Sequence, residues 1–430
     1  MTSSNLILGI NARSRLFLPF NSREGRRIAD SKLLTKRRLR KHDLPVPGIL
    51  AVFKTPQDVK NFPWETLPDN FVLKPSKGFG GQGVIIVKRR AKWAGEWRLM
   101  DDSLINSQDL KFHALEILSG RFSLHNVPDV AFIEERIKIQ KIFSKYVYHG
   151  APDIRLLVFN KIPVAAMLRL PTKESEGRSN IHQGAIGVGV DLATGITIHG
   201  FLAGKFIKYI PGTKRKINGL RIPEWNKILT LGVKAQEAVP SLGFLGIDII
   251  LDKERGPMIL ELNARPGLEI QNANLAPLKK RLERIEGLEV KSAEQGVKIA
   301  KALFMERFAD RVISHEEVQI LNALEKVRVR DAKKKKVWVK AKIDTGAWRT
   351  AIDKELAQNL GLLEDSNILG ETLCYSALGR ERRPLIKLRI FINGAKIDSL
   401  ASVTDRGSVR YPLVVGRQDL RGFLVRPRKF

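Results

Sequence analysis

The 430-residue chain has little cysteine, histidine or aromatic content: one cysteine, seven histidines and 7% Phe, Trp and Tyr. The lone Cys374 rules out an intrachain disulfide framework and fits a reducing compartment. No apolar run approaches the roughly 18 residues of a membrane helix. The opening MTSSNLILGINARSRLFLPF has neither a basic segment before its short apolar stretch nor a small-residue cleavage site, so no signal peptide is expected. These features predict a soluble, cytoplasmic protein with no membrane partner. The histidines (His42, His113, His125, His149, His182, His199 and His315) are scattered and make no zinc set, so no zinc is expected. Aromatic residues do not alternate with basic ones along the chain as base-stacking surfaces do. A nucleic acid or ribosomal partner is therefore open but not favoured.

A hydrophobic fraction of 43% supports real cores, and the length suggests two or three domains. Lys and Arg outnumber Asp and Glu by 75 to 45, a formal charge of +30. The excess runs through both halves, with one dense run at Lys333–Lys336, and favours anionic partners in general. A basic helix is predicted from about Ser31, stopped by Pro45 and Pro47 and followed by a strand. Residues 71–88 read as strand, glycine turn, strand, and further β pattern covers 130–137, 154–169 and 184–201. A helix at 225–239 precedes two strands, GIDIILD and PMILELN. An amphipathic helix at 292–312 leads into a polar stretch. The final hundred residues are short β-type runs, an all-β pattern. The expected organisation is an N-terminal segment at 1–50, a domain at 51–312, a linker at 313–335 and a small β domain at 336–430.

Two strings carry chemistry. Gly78-Phe79-Gly80-Gly81-Gln82-Gly83 matches G-x-G-x-x-G, but VIIV follows where a dinucleotide fold requires a helix, and no Walker A string occurs. A glycine hairpin over phosphates, with Lys74 at the preceding strand's end, is the functional alternative to a plain hairpin with a solvated lysine. Downstream, Glu261 and Asn263 face the same way on one strand, and Asp248 on the preceding strand is within reach across a hairpin. Three hard oxygen donors suit Mg²⁺ or Mn²⁺. Arg265 is placed to meet phosphate or carboxylate.

The order of these features (lysine strand, glycine hairpin, FIEERI, D-x-R, D…E-x-N) resembles the ATP-grasp superfamily, and more closely its RimK-type α-L-glutamate ligases. The resemblance spans about residues 5–275. It implies two α+β lobes with ATP between them, and a carboxylate activated as an acyl phosphate for attack by an amine. By position it implies phosphate contacts from Lys32 or Lys36 and Lys74, and a covering loop at Gly78, Gly80, Gly81 and Gly83. Glu134, Glu135 and Ile137 would line the adenine and ribose. Asp248, Glu261 and Asn263 would hold the metal. Arg155, Arg169, Asn180 and Arg265 would meet the acceptor carboxylate or the moving phosphoryl group, with Asp153 and His182 beside the substrate. About 45 residues ahead of the lobes are fewer than such enzymes usually carry, which leaves the acceptor surface open. The implied partners are an amino-acid donor and a peptide or small-molecule carboxylate.

The tail holds a second pattern, Asp344-Thr345-Gly346-Ala347 at the end of an apolar strand, with Leu413-Val414-Val415-Gly416 about seventy residues on. Residues 325–430 resemble the single-domain bacterial retropepsin-like aspartic proteases. In that chemistry two aspartates share a proton and activate water. One D-T-G per chain then implies a homodimer with Asp344 at the two-fold axis, Thr345 as a brace and Gly346 for close approach. Trp348 and Arg349 depart from the usual continuation. A protease trimming a ligase's product, a non-catalytic docking module and a ribosome-associated modifying enzyme all remain open.

Overall fold

The computed structural model describes residues 7–78, 80–304, 319–376, 379–405, 411–420 and 423–426. Its contacts divide the chain after Leu278 into two units. In the first unit, β1 (Ile49–Phe53), β2 (Phe71–Pro75), β3 (Ile85–Arg90), β4 (Glu96–Leu99), β5 (Leu104–Asn106) and β6 (Ala131–Glu135) form an antiparallel sheet ordered β1-β6-β2-β3-β4-β5. The expected glycine hairpin is the β2–β3 pair. Helix Ser107–Leu118 packs Leu110, Ala114 and Ile117 into the core of this sheet. Its start is set by a capping box between Asn106 and Asp109. Aromatic rings fill the same core: Phe53 stacks on Trp64 at 5.2 Å and Phe71 meets Trp97 edge-on at 5.5 Å.

The second sheet of this unit comprises β7 (Asp153–Phe159), β8 (Ile162–Leu170), β9 (Ile186–Val190), β10 (Thr197–Leu202), β11 (Lys205–Ile207), β12 (Phe244–Asp252) and β13 (Gly256–Asn263), ordered β11-β10-β9-β8-β7-β12-β13. The β patterns read at 154–169 and 184–201 are therefore two hairpins. Helix Trp225–Ala238 lies against the sheet. Its Gly232 is needed for close approach, since a Cβ there would come within 2.3 Å of Leu156 Cδ2. Ahead of both sheets, the N-terminal segment folds into helices Ile10–Leu16, Arg23–Ala29 and Lys32–Arg40, which belong to this unit. Asn21 ties them in, donating to Phe244 O at 2.6 Å and Ala264 O at 2.8 Å.

The second unit is mainly strand. It holds β14 (Gln319–Asn322), β15 (Leu324–Arg330), β16 (Lys336–Asp344), β17 (Ala351–Asp353), β18 (Ile368–Ser376), β19 (Gly379–Ile392), β20 (Ala395–Thr404), β21 (Leu413–Gly416) and β22 (Phe423–Arg426). Seven form a sheet ordered β15-β16-β21-β17-β20-β19-β18, with a further β15–β19 pairing. β14 and β22 pair in parallel. Val327, Val329, Val339, Ile343, Leu388 and Ile390 lie in its core.

Two boundary expectations differ from this structure. Helix Ala293–Leu303, expected with the ligase-like region, packs in the second unit, where Gln295 donates to Leu369 O at 2.9 Å and Lys298 to Ile368 O at 2.9 Å. An amphipathic pattern marks an apolar face without saying what covers it. The expected linker 313–335 has its first residues, 313–318, outside the described residues, as do 305–312 of the expected helix. The linker's remainder holds β14 and β15. There E-K-V-R-V-R alternates buried valines with charges, so a charged run conceals a strand. Among the described residues no helix is long and apolar enough to cross a membrane.

Removing the fully buried Trp64 takes away the ring stacked on Phe53. Trp64→Ala should destabilise the first unit by about 3–5 kcal/mol, read as a fall in its denaturant midpoint; an unchanged midpoint would show that this core is not limiting.

Candidate active site

The site begins at the N-terminus of helix Lys32–Arg40. Ser31 caps it, accepting from Leu34 N at 3.3 Å, and its hydroxyl lies 3.0 Å from that of Ser76 just past β2. This junction carries Lys32 and Lys36 into different surroundings. Lys32 Nζ donates to Gly78 O at 2.9 Å and lies 3.5 Å from Glu261 Oε2. Lys36, one helical turn on, is fully buried and 2.9 Å from Glu134 Oε2. Lys74 on β2 pairs with the other oxygen of the same carboxylate.

Two ammonium groups thus share one buried carboxylate, leaving a surplus positive charge. Burial pushes Lys36 down to about 8 against the upward pull of Glu134. Burial also opposes ionisation of Glu134, but Lys74 and Lys36 outweigh it and hold the carboxyl below its ordinary range. Apart from its ion pair, the Lys36 ammonium makes no hydrogen bond among the described residues. In the loop that follows Lys74's strand, Gly80, Gly81 and Gly83 have φ of 63°, 79° and 70°. Left-handed positions favour glycine and are the kind of backbone from which anion-binding turns are built. Phe79 lies outside the described residues. Asn180 reaches the loop, donating to Gly80 O at 3.4 Å. Asp129 Oδ2 steadies its base by accepting from Lys77 N at 2.7 Å.

The second cluster is set by strand register. Arg155 on β7 stands opposite Asp248 on β12, which stands opposite Glu261 on β13; Arg169 on β8 stands opposite Asp153 on β7. Cross-strand partners share a face, so all these groups line one side of the sheet. Asp248 is paired with Arg155 through both its oxygens, one contact measuring 2.7 Å, and Arg169 Nη2 reaches Asp248 Oδ2 at 2.8 Å. Arg169 also bonds both oxygens of Asp153 at 2.6 Å. Asn263 Nδ2 lies 3.4 Å from Asp248 Oδ2. Burial opposes the charge on Asp248, yet Arg155 and Arg169 hold its carboxyl far below the usual range. Asp153 is pushed up to about 6, first by burial and then by Asp248, with Arg169 pulling the other way. Burial works against Arg169, which its two carboxylate partners nonetheless hold more firmly protonated than usual.

Asp248, Glu261 and Asn263 fit a hard divalent cation: two carboxylates on neighbouring strands and an amide on the same face, with Asp248 Oδ1 meeting a single guanidinium N–H, Glu261 facing the Lys32 ammonium, and the Asn263 amide oxygen a further donor. Among the described residues no cluster of three or more His, Cys, Asp or Glu forms a metal site, so the set depends on the Asn263 amide.

Other expected residues lie apart. Glu135, adjacent to Glu134, faces the opposite way and binds Gly48 N at 2.7 Å and Arg255 at 2.6 Å. Ile137 is buried with Ile250 and Met258. Arg265 is half exposed, 3.4 Å from Asp30, and His182 is mostly exposed, 3.6 Å from Glu269. Sequence reasoning read Ser31 only as the start of the helix and missed Ser76 and Asp129, which carry no local signal.

In the second unit, β16 runs parallel to β21 with Asp344 beside Gly416, so the two strings flagged in the tail do meet. Asp344 Oδ1 accepts from Gly346 N at 3.0 Å and Ala347 N at 3.2 Å, and Oδ2 lies 2.9 Å from Lys342. The Lys342 bond holds its carboxyl below the ordinary value, with burial opposing. Thr345 is exposed. The buried hydroxyl here is Thr350, which donates to Asp419 Oδ2 at 2.5 Å and accepts from Gly416 N at 3.1 Å.

A family model described as sugar-transfer-associated ATP-grasp matches residues 11–287, well over half of the chain. Among solved structures, the ATP-grasp ligase PsnB complexed with a minimal precursor is 18% identical over 61% of this chain, with a TM-score of 0.33; this chain spans 62% of its length. The D-alanine–D-alanine ligase of Coxiella burnetii is 14% identical over 64% of this chain and 60% of its own, with a TM-score of 0.35. Protein Lpg0085, of unknown function, from Legionella pneumophila is 18% identical over 26% of this chain and 94% of its own, with a TM-score of 0.18. No curated protein matches in sequence.

The Lys36 shift has a measurable consequence. Between pH 8 and its ordinary 10.5, the unfolded chain binds a proton at Lys36 that the folded chain has released. Stability should therefore rise with pH across that window relative to Lys36→Met, by on the order of 1–3 kcal/mol. Parallel pH profiles for the two proteins would contradict the burial of a charged Lys36.

Proposed function

The chain belongs to the sugar-transfer-associated ATP-grasp family, and from that membership we propose that it is an ATP- and Mg²⁺-dependent carboxylate–amine ligase acting through an acyl phosphate. The observation that carries this reading is the buried Lys36–Glu134–Lys74 group with its surplus positive charge, since Lys74 stands on the strand that leads into a loop of left-handed glycines. Such a site suits the phosphates of ATP. Asp248, Glu261 and Asn263 would hold Mg²⁺ or Mn²⁺, which when bound supplies charge neutralisation at the phosphates.

An oxygen of the acceptor carboxylate attacks the γ-phosphorus, the bond to the β–γ bridging oxygen breaks and ADP departs. The amine then attacks the acyl carbon, phosphate leaves with the former carboxylate oxygen, and the nitrogen loses a proton as the amide forms. Every step shifts negative charge between oxygens, so cationic groups held in place contribute more than a protein nucleophile would. Arg155 and Arg169 are the residues for that role. Bonding to Asp153 and Asp248 fixes their planes before substrate arrives, at no reorganisation cost during reaction. Lys32, tied to both Gly78 and Glu261, couples the glycine loop to the carboxylate strand.

The finer reading follows the RimK-type resemblance: the amine is glutamate or another amino acid, and the acceptor a peptide or small-molecule carboxylate. Amine-dependent ADP release, with mass spectrometry of each mixture, tests it. Glu261→Ala should lower product formation by about 10²–10³-fold or more with the fold retained; a normal rate would overturn the ligase assignment.

For the second unit we propose an aspartic-protease-like role toward the ligase product, supported by the Asp344 turn and its parallel pairing with Leu413–Gly416. Activity would require a homodimer that brings two Asp344 carboxylates together. Asp344→Asn should abolish any hydrolysis; hydrolysis that persists unchanged favours a docking module instead.

A further inference from the structure

The outer face of the β15–β16 ribbon takes no part in either site above. Register places Arg330 opposite Lys336, Arg328 opposite Trp338 and Lys326 opposite Lys340. These six residues share the face turned away from the buried Val327, Val329 and Val339. Two of the three cross-strand pairs are like-charged, an arrangement that weakens a sheet. Among the described residues none of the five cations is ion-paired to a carboxylate, and the turn joining the strands adds Lys333, Lys334 and Lys335, all exposed. The turn's acid, Asp331, is occupied in closing it, accepting from Lys335 N at 2.7 Å.

Trp338 stands in the middle of this ladder with 65% of its surface in solvent. The Arg328 guanidinium lies 5.3 Å from its ring centre. On its other side Arg328 pairs across to Phe391 of β19, and the Lys336 ammonium lies 4.4 Å from the Phe391 ring centre. A row of Phe391, Arg328 and Trp338 therefore crosses three strands, flanked by lysines. A scan along the chain misses this alternation of aromatic and basic groups, because the sheet brings together residues more than sixty positions apart.

Uncompensated, directly opposed cations are maintained against their own repulsion, and a large indole is left in water. Both features suit a polyanion that also carries flat apolar groups. Cations on alternate positions of a strand recur about every 6.7 Å, a row that tracks an extended charged backbone, while bases stack on the exposed ring. An acidic polypeptide would use the cations and leave the indole unused. We propose that this ribbon is a binding surface for single-stranded nucleic acid, with Trp338 as its stacking platform. The proposal is independent of the ligase reading.

Fluorescence anisotropy of the full-length protein with a labelled oligouridylate of about twelve nucleotides tests it. Trp338→Ala should weaken binding about tenfold or more. The double variant Lys326→Gln/Lys340→Gln should flatten the slope of log K against log salt by about 1.4, the loss of two single-strand phosphate contacts. Both variants should retain ATP-dependent thermal stabilisation, and the double variant should melt no lower than the parent because an opposed like-charge pair is gone. Absence of binding at low salt, or binding that both variants leave unchanged, would overturn the proposal. Polyglutamate that competes fully, with competition lost in the double variant while Trp338→Ala has no effect on either ligand, would overturn it in favour of an acidic polypeptide partner. Should Trp338→Ala fail to fold, the double variant together with Arg328→Gln decides.

Discussion

Asp248 can be ionised inside the first unit only because guanidinium groups from two neighbouring strands meet it. Desolvating a lone carboxylate costs several kcal/mol, and that cost is offset by Arg155, which meets both its oxygens, and Arg169, which meets Oδ2. Those bonds in turn require β7, β8, β12 and β13 to keep one antiparallel register. A slip of one residue on any of them would turn its charged groups to the opposite face. The geometry of these carboxylates, the orientation of the arginines and the pairing of four strands are thus one constraint.

The same logic recurs on the other sheet. Glu134 is buried between Lys36 and Lys74, one from a helix ahead of the sheet and one from the adjacent strand. This links the N-terminal helices to the glycine hairpin. Both clusters hold charges in place before any ligand is present, and they differ in balance. Lys32, Arg155 and Arg169 are matched by Asp153, Asp248 and Glu261, whereas Glu134 is outnumbered by its two lysines. A nearly neutral cluster suits a divalent cation with its anionic partners, and the positive one suits phosphate. The ATP-grasp fold supplies the frame, and the charge balance divides the labour within it.

Much of this was legible in the chain. The glycine hairpin, the helix opened by Ser31 and the Glu261–Asn263 pair on one strand follow from turn chemistry, capping and the two-residue period of a strand. The division of roles between neighbours was less visible. Lys32 and Lys36 were equivalent phosphate candidates until the helix turned one toward Gly78 and Glu261 and the other into the interior. Glu134 and Glu135 differ only by a strand's alternation, which sends Glu135 to Gly48 and Arg255. Arg265 and His182 face Asp30 and Glu269 at the surface instead of joining either cluster, because neighbourhood in sequence does not set direction in a turn.

Local sequence determined the elements, the glycine loop and the oxygen donors, since these depend on propensities and periods within about ten residues. Tertiary structure alone decided which charges neutralise each other and where helix Ala293–Leu303 packs. It also decided that Phe391 joins Arg328 and Trp338 in a single row. Each of these depends on pairing between segments distant in the chain, and burial makes the pairing decisive by removing the water that would otherwise satisfy any partner.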